Sequence, residues 1–547
     1  MNINSHTKFQ APEVCIITGG LINVTEKSMW KAAKKQLRQL KESRHQWLEI
    51  KIKLVSAEPI IYHRRQNKKG LVREFFSGKP EFPPDLTEVV LKDEVTKQGL
   101  CCSVLTCDEI FQINDENKEK LLRSAVIFLS TTLLHDLSEL NTILNILQTY
   151  NKRIVVGGAL AGSLYKYWEG DPRVDILAIG YGEFLVPILC DWAKSDFTIL
   201  DAGEGRLSES KYQTKFLFST LPKNKSLDFI SKPDWKNHSP DKTYRKISYE
   251  SVRGCPYRCS FCNYPFLFND KVFRTKSARK IADDWAEYKA EGVNHIVCLD
   301  SLFTMPKSRI EELCHILIEE KIDIQWTCYA RADDLENLDL VQLMCLAGAR
   351  QFQIGIESGS QNVLDAMNKN CTVEANFKAI QNCRLAGITT VVSIIVGFPT
   401  DTEETIQQTL TFLQQAKPDF HFLATFSVRV EDVPILYQKN KEKYGLWKME
   451  NPLTMAPYWK HNSMCCSEVG NHVRRMNAFL IENKISLDGT IFYTHIDHYK
   501  PEMRDALLNY QFSCYQKYPV TKFFLNRLNS FVDKKLAKDI KLQMTKI

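Results

Sequence analysis

The chain has 547 residues, of which 44% are hydrophobic and 25% are charged, and its formal net charge is +7. This length predicts about three domains with sizeable cores, and the composition is typical of a globular protein rather than a disordered one. The small excess of positive charge gives no reason to expect nucleic-acid binding, and no apolar run is long enough to predict a membrane span. Seventeen cysteines without a secretory signal indicate reduced thiols, so we expect a cytoplasmic protein.

Residues 1–200 alternate short apolar strands with helices. We predict strands over 14–20, 124–132, 153–159 and 174–183, and helices over 28–43, 136–150 and 184–193. This alternation predicts a doubly wound, Rossmann-like parallel sheet, whose ligands bind outside the carboxyl ends of the strands. The basic and proline-containing stretch 58–100 is interpreted as an inserted loop.

Small and hydroxylated residues fall at the ends of these strands, where glycine lets the backbone approach a bulky, phosphate-bearing ligand. The candidate binding residues are Ser130, Thr131, Thr132, Gly157, Gly158, Gly180, Tyr181, Gly182 and Glu183. Each glycine alone could equally end a strand for conformational reasons. No G-x-G-x-x-G follows the first strand, which argues against a dinucleotide.

Residues 201–245 carry several glycines and prolines and little periodicity, and we interpret them as a linker across the surface. From residue 246 to about 430, strand and helix alternate six times. The predicted strands are 247–252, 294–299, 323–328, 351–356, 389–396 and 420–427, with helices such as 276–291, 307–320 and 402–415. Six such units predict a partial (β/α)6 barrel with its chemistry at the carboxyl ends of the strands.

Three cysteines follow the first barrel strand at positions i, i+4 and i+7: Cys255, Cys259 and Cys262. A tight loop with three thiolates can hold three irons of a [4Fe–4S] cluster and leave the fourth iron open to a small molecule. A zinc site would need a fourth cysteine or histidine at short spacing, and residues 263–266 supply none. The spacing therefore predicts a cluster.

Four other strand ends of the barrel carry polar or flexible residues: Asp300, Arg331, Glu357 with Ser358, and Gly397. A guanidinium grips a carboxylate through two hydrogen bonds, a carboxylate accepts from hydroxyl or amino groups, and a glycine–proline turn lets the backbone meet a flat base. The alternative for each is a helix cap or a paired surface charge.

The cysteine spacing and these strand ends resemble the radical S-adenosylmethionine (SAM) superfamily. The preceding sheet domain resembles the cobalamin-binding domain of cobalamin-dependent members of that class. The resemblance implies three cofactors, which are a [4Fe–4S] cluster, SAM and cobalamin, with SAM bound by Asp300, Arg331, Glu357, Ser358 and Gly397. Because the sequence lacks D-x-H-x-x-G, cobalamin is expected without a histidine ligand.

The activity that this resemblance implies is methyl transfer from methylcobalamin to an unactivated carbon or a phosphinate phosphorus, through a 5′-deoxyadenosyl radical. The implied partners are a small-molecule or peptide substrate and an external electron donor such as flavodoxin or ferredoxin. No catalytic acid–base residue is expected, because the cofactors perform the difficult chemistry.

Two alternatives stay open at this point. One is a cyclase or ring-rearranging enzyme with the same cofactors and no methyl transfer. The other is an iron–sulfur redox-sensing or binding protein, which would not require Arg331 or Glu357. A methylthiotransferase is disfavoured, because it needs a second set of three cluster cysteines in its N-terminal domain, and the cysteines at 15, 101, 102 and 107 do not form one.

Residues 431–547 are predicted to be mainly helical, with helices over 473–483 and 501–515, and to cap the barrel and shape the substrate pocket. Trp459, His461 and Met464 either line that pocket or form a seam between domains. The adjacent Cys465 and Cys466 are interpreted as structural.

Overall fold

The computed structural model describes residues 13–20, 47–63, 68–134, 136–428, 433–449 and 457–545. The helix expected over 28–43 lies outside these residues. Within them, no helix is both long enough and apolar enough to span a bilayer.

The N-terminal domain is built on one sheet with the strand order β2-β1-β3-β4-β5-β7-β6. All neighbouring strands are parallel except β6, which runs antiparallel to β7. The strands are β1 (Val14–Thr18), β2 (Cys102–Thr106), β3 (Val126–Ser130), β4 (Arg153–Gly157), β5 (Ile176–Ile179), β6 (Arg206–Glu209) and β7 (Lys215–Phe218). The helices within this chain segment are α1 (Trp47–His63), α2 (Gly70–Ser77), α3 (Leu86–Lys97), α4 (Cys107–Phe111), α5 (Asp115–Arg123), α6 (Leu137–Leu147), α7 (Ala159–Leu164) and α8 (Gly182–Lys194).

Both faces of this sheet are covered. Along β1, Cys15 and Ile17 pack into the core under α4 to α7, whereas Val14 and Ile16 pack into the core under α3 and α8. Successive side chains of a strand point to opposite faces, so an entirely apolar strand serves two cores. The predicted doubly wound parallel sheet is confirmed.

The predicted linker contains regular structure. Strands β6 and β7 lie within residues 201–245, and β7 pairs with β5 over four residue pairs. These strands are short and one of them is largely polar, so their sequence shows little periodicity. We therefore propose that the N-terminal domain extends through β7 and that the linker begins after it.

The second domain is a partial barrel of parallel strands in the order β8-β11-β12-β13-β14-β15-β18. Its strands are β8 (Lys246–Tyr249), β11 (His295–Cys298), β12 (Gln325–Arg331), β13 (Ala349–Glu357), β14 (Thr389–Val396), β15 (Phe420–Thr425) and the short β18 (Leu487–Asp488), beside a hairpin of β9 (Val252–Arg253) and β10 (Arg274–Thr275). Its helices are α9 (Trp235–His238), α10 (Ala278–Ala290), α11 (Lys307–Glu319), α12 (Leu338–Leu346), α13 (Gln361–Ala366), α14 (Val373–Ala386) and α15 (Glu403–Ala416). All six predicted strand–helix units are present.

The C-terminal segment is mainly helical, as predicted. It comprises α16 (Gln438–Tyr444), the paired strands β16 (Trp447–Lys448) and β17 (Trp459–Lys460), α17 (Cys466–Glu482), α18 (Gly489–Phe492), a 3₁₀ segment (Tyr493–His498), α19 (Arg504–Gln516) and α20 (Pro519–Met544). Trp459, His461 and Met464 are each buried, with Trp459 stacked on His461 and packed edge-on against Phe426 of the barrel. Of the two interpretations, the structure favours the seam.

The stretch predicted as an inserted loop is helical instead, and part of it belongs to another domain. Helices α1 and α2 pack against the C-terminal segment: Phe75 of α2 is completely buried and lies 5.7 Å from Phe492, ring centroid to ring centroid. Lys51 of α1 forms a 2.8 Å ion pair with Asp533 of α20. Because Phe492 also contacts Phe420 at the start of β15, these elements close the amino end of the barrel.

Truncation of Phe75 tests this closure. Phe75→Ala should reduce the free energy of unfolding by about 3–5 kcal/mol, because it leaves a cavity in a fully buried aromatic cluster. Phe524→Ala is the matched control, since this ring is 65% exposed, and should change the value by less than about 0.5 kcal/mol. Urea unfolding monitored by circular dichroism provides the comparison. Equal effects of the two substitutions would contradict the packing of α2 against the barrel.

Candidate functional site

The three predicted cluster cysteines lie on one loop at the carboxyl end of β8, directly after Arg253. Gly254 has φ +77°, and a Cβ there would lie 2.7 Å from the carbonyl oxygen of Val272, so only glycine fits. Farther along the loop, the backbone N–H of Ser260 donates to the carbonyl of Met367 and its carbonyl accepts from the N–H of Ile435. The loop is thus fixed at its start and in its middle.

The three thiols lie close enough together to affect one another's pKa values. Burial raises the pKa of Cys255, and burial raises the pKa of Cys262 to about 12, with a further contribution from neighbouring cysteines in both cases. Among the described residues, no group of three His, Cys, Asp or Glu side chains is close enough to hold a single metal ion. Iron ligation requires thiolates, so loading this loop with iron would release protons.

Two cations lie beside Cys259. The Arg331 guanidinium contacts its sulfur, with Nη1 3.9 Å from Sγ, and packs 3.6 Å from the centre of the Tyr257 ring. Lys369 is buried, and its Nζ lies 3.0 Å from Oε1 of Glu357. Burial alone would lower the pKa of Lys369, but the negative charges of Glu357 and Cys259 outweigh it. Positive charge next to the sulfurs offsets the negative charge of a thiolate-bound cluster.

Arg331 and Glu357, which sequence reasoning singled out, therefore lie together at the cysteine loop. Arg331 also donates to both carboxylate oxygens of Asp333, at 2.9 and 3.1 Å, and to the carbonyl of Lys369. Glu357 has φ +63°, a left-handed conformation that is rare for a residue with a side chain. Such backbone strain is concentrated at functional sites.

Asp300 lies just after β11, at the strand end where it was predicted, but its carboxylate is bonded to protein groups. It is completely buried, with Oδ1 accepting from the N–H groups of Ser251 and Val252 at 2.6 Å and Oδ2 accepting from the Ser251 hydroxyl. Both oxygens thus brace the chain that leads into the cysteine loop. This geometry does not support the predicted direct contact of Asp300 with SAM.

Ser358 and Gly397 lie at the ends of β13 and β14 and are held by protein contacts. The Ser358 hydroxyl accepts from the N–H of Ser360 and lies 3.3 Å from the Thr409 hydroxyl. Gly397, at φ +89°, donates its N–H to Asp401 and accepts a hydrogen bond from Nε2 of His461. Their predicted contacts with SAM stay predictions.

A cavity of about 340 Å³ lies between the carboxyl end of the N-terminal sheet and residues that flank the cysteine loop on both sides. Seven of the nine predicted binding residues of the N-terminal domain line it: Ser130, Thr132, Gly157, Gly158, Gly180, Gly182 and Glu183. The barrel contributes Glu250, Arg253, Tyr264, Phe268 and Leu299. The two sheets therefore present their carboxyl ends to one shared space.

The other two predicted residues do not line this cavity. Thr131 is fully buried; its hydroxyl donates to the carbonyl of Gly157 and accepts from the N–H of Ala161. Tyr181 is also buried, and its hydroxyl donates to Asp270 at 2.9 Å. Both residues hold the ends of the strands in place.

Sequence reasoning missed Arg253 and Lys369. Arg253 donates to both oxygens of Glu183, at 2.8 and 2.7 Å, and to Glu250. Burial alone would raise the pKa of Glu183, but the charge of Arg253 outweighs it and the pKa is lowered. No motif marks Lys369. Arg253 could have been noticed, because it immediately precedes the glycine and the first cysteine.

The fold and the site together define a protein with two facing α/β domains, one of which carries a three-cysteine loop on a partial barrel. Residues 249–413 match the family model described as the radical SAM superfamily. This segment, which holds the cysteine loop and the strand ends that carried the predicted resemblance, is thus similar to that superfamily.

Curated relatives include two kinds of enzyme. The anaerobic magnesium-protoporphyrin IX monomethyl ester cyclase of Rubrivivax gelatinosus is 28% identical over 238 residues, which cover 43% of this chain and 42% of that protein. The bacteriochlorophyllide d C-8(2)-methyltransferase of Chlorobaculum tepidum is 25% identical over 325 residues, 57% of this chain and 66% of that protein. The chain thus spans less than half the length of the first of these relatives.

Among solved structures, the cobalamin-dependent S-adenosylmethionine radical enzyme OxsB with aqua-cobalamin bound aligns over 98% of this chain and 81% of its own. The TM-score is 0.57 and the sequence identity 16%. The predicted combination of a cobalamin-domain-like sheet, a radical SAM barrel and a helical C-terminal segment is confirmed at the level of the fold.

Asp300→Asn tests the bracing role of Asp300. Burial raises the pKa of Asp300 to about 6, against the opposing effects of Arg309 and the Ser251 hydrogen bonds. Because the folded pKa lies above the unfolded one, its contribution to stability is fully present below about pH 4 and is lost as the pH rises through about 6. An asparagine keeps one carbonyl acceptor for the two N–H groups and cannot ionise.

The expected result is that wild type loses about 3 kcal/mol of unfolding free energy relative to Asp300→Asn between pH 4 and pH 7. Urea unfolding at the two pH values measures this difference, and Asp191→Asn, at an exposed site, is the control. An identical pH dependence of wild type and Asp300→Asn would show that the Asp300 carboxylate is not buried in this way.

Proposed function

We propose that this protein is a cobalamin-dependent radical SAM methyltransferase that methylates an unactivated carbon. The observation that carries the proposal is the shared cavity of about 340 Å³, which is lined by the glycine-rich strand ends of one domain and by residues on either side of the cysteine loop of the other, such as Arg253 and Tyr264. In this proposal the cluster, SAM and cobalamin supply the radical and the methyl group. The protein binds them, orients them and excludes water.

Cys255, Cys259 and Cys262 would hold the cluster. Their loop is fixed by hydrogen bonds to residues 367 and 435, and Arg331 and Lys369 provide the compensating charge. Glu357 would accept hydrogen bonds from the amino or hydroxyl groups of SAM, held in place by Lys369. The predicted contact of Arg331 with the SAM carboxylate would use Nη1, the nitrogen that lies beside Cys259, because Nε and Nη2 already donate to Asp333 and to the carbonyl of Lys369.

Cobalamin would lie against the strand ends of the N-terminal sheet. Gly182 is open to the cavity, and no protein atom apart from its chain neighbours and the backbone of its own helix lies within 4 Å of the place where a Cβ would be. The cavity continues along an apolar slot lined by Phe128, Val155, Ala178 and Leu185, which can accept a flat ring. No histidine ligand is required in this proposal.

The second candidate is a cyclase or ring-rearranging enzyme with the same cofactors. The Rubrivivax relative, which is named as a cyclase, favours it. Methyl transfer is preferred because the Chlorobaculum methyltransferase matches a larger share of both chains. A redox sensor would not need the buried Glu357–Lys369 pair beside the cysteines. An external donor of the flavodoxin or ferredoxin type would provide electrons.

Substitution of the cysteines tests the cluster. Cys255→Ala, Cys259→Ala and Cys262→Ala should each abolish reductive cleavage of SAM and lower the iron content several-fold, because a ligand is lost. The control is Cys465→Ser with Cys466→Ala: Cys465 caps α17, serine is a good cap, and iron should stay at the wild-type level. Retained SAM cleavage in any of the three single variants would refute the assignment.

Filling the cavity tests the cobalamin site. Gly182→Leu should lower the bound cobalt at least about tenfold, because its side chain occupies the cavity, while iron content and unfolding stay unchanged. Asp191→Leu, at an exposed site on the same helix, should bind cobalt as wild type does. Cobalt and iron are quantified after anaerobic loading. Full cobalt binding by Gly182→Leu would place cobalamin elsewhere.

A further inference from the structure

The inside of the barrel contains half-exposed side chains, and one of them, Tyr329, does not line the 340 Å³ cavity between the domains. Along β12, Trp326, Cys328 and Ala330 pack into the core under the helices, so Tyr329 points to the opposite, inner side. Tyr329 is nevertheless 39% exposed, and Leu299, at the end of β11, is 42% exposed. Open space therefore lies inside the barrel.

A ring from the C-terminal segment faces the same space. Tyr493, in the 3₁₀ segment, is 49% exposed and packs edge-on at 6.2 Å from Phe422, whose position on β15 is also inward. Tyr493 lies close enough to Tyr329 to contribute to the rise in the pKa of the Tyr329 phenol. Burial raises the pKa of both phenols, which are neutral hydrogen-bond donors at neutral pH.

The next two strands add neutral polar groups. Gln353 of β13 and Ser393 of β14 occupy inward positions, and the Gln353 amide donates to the Ser393 hydroxyl at 3.4 Å. Among the described residues, the charged side chains at inward positions are all paired. The pairs are Lys246 with Asp497, Glu250 with Arg253, Arg331 with Asp333, and Glu357 with Lys369.

This space connects to the cofactor cavity. Leu299 lines the 340 Å³ cavity between the domains. It also directly follows β11 on the inner face of the barrel, next to β12, the strand that carries Tyr329. A molecule in contact with Tyr329 and Tyr493 would thus extend toward Leu299 and the proposed cofactors.

We infer that the chamber formed by Leu299, Tyr329, Gln353, Ser393, Phe422 and Tyr493 binds the substrate, and that this substrate is uncharged, with an aromatic or broad apolar surface and a hydrogen-bonding group. This inference rests on the proposed function and narrows it. An anion such as a phosphinate would lose its hydration without gaining a cationic partner, and burying an unpaired charge is strongly unfavourable. Aromatic walls with neutral polar groups instead match a flat, neutral ligand.

Three probes of equal shape and different charge test the inference: 2-naphthol, which is neutral at pH 7, 2-naphthoate, an anion, and 2-naphthylmethylamine, a cation. Their binding to the full-length protein, loaded with cluster and cobalamin, is measured by anaerobic equilibrium dialysis. The neutral probe should bind at least about tenfold tighter than either charged one. A charged probe that binds as tightly as 2-naphthol would overturn the inference.

Substitutions locate the binding. Tyr493→Ala and Tyr329→Phe should weaken 2-naphthol binding, the first by about tenfold, whereas Tyr212→Ala, at an exposed ring of the N-terminal domain, should have no effect. Gln353→Lys should reverse the preference in favour of 2-naphthoate, because it adds an unpaired cation to the chamber. Unchanged affinities in all three chamber variants would place the probe elsewhere and refute the chamber.

Failure of the chamber and failure of the proposed function give different results. Reductive SAM cleavage without substrate needs the cluster but not the chamber, so it should persist in the tyrosine and glutamine variants. Loss of probe selectivity with intact SAM cleavage would overturn only this inference. A wild-type protein that binds 2-naphthol selectively but never cleaves SAM would overturn the proposed function.

Discussion

The arrangement of the two sheets depends on one buried ion-pair network at Arg253. Its guanidinium bonds bidentately to Glu183, at the carboxyl end of the first sheet, and to Glu250, at the carboxyl end of the barrel. The same guanidinium lies 5.0 Å from the ring centres of Tyr181 and Phe268. Removing one partner of such a buried pair typically costs about 3–5 kcal/mol, because a charge is left uncompensated. The network therefore ties the carboxyl ends of the two sheets together just before the cysteine loop.

Buried ion pairs also lie beside Cys259, within the cysteine loop. Arg331 and Lys369 lie beside Cys259, and each also forms an ion pair with a carboxylate, Asp333 or Glu357. Buried polar networks of this kind stabilise a structure only when every member is satisfied, and they then specify one geometry. Charge compensation at the top of the barrel leaves the chamber below it lined by neutral groups, which is why cofactor binding and substrate choice can be separated.

Much of the fold was predictable because its signals are local. Apolar runs marked the six barrel strands and most strands of the first sheet, and three cysteines at fixed spacing marked the loop. The end of α1, together with α2 and α3, was taken for a loop, in part because partners such as Phe492 for Phe75 lie about four hundred residues away in sequence, and because the end of α1 contains a proline. Strands β6 and β7 were missed because β6 is largely polar and exposed and both strands lie in a stretch rich in glycine and proline.

The candidate site was also predictable only in part. The residue types at the strand ends indicated which side chains lie together at the site. Seven of the nine residues predicted from the first sheet line the cavity. Sequence could not indicate which of them face inward: Asp300 and Thr131 carry the expected chemistry, yet both are fully buried and bonded to backbone groups. Lys369 has no sequence signal, because its role arises from burial beside Glu357.

The most direct test of the account is the metal content of the full-length protein prepared anaerobically with cobalamin, measured together with its absorbance spectrum. The account predicts about four irons and about one cobalt per chain. Iron without cobalt would contradict the cobalamin assignment of the first domain. Cobalt without iron would contradict the assignment of the cysteine loop, on which the proposed function rests.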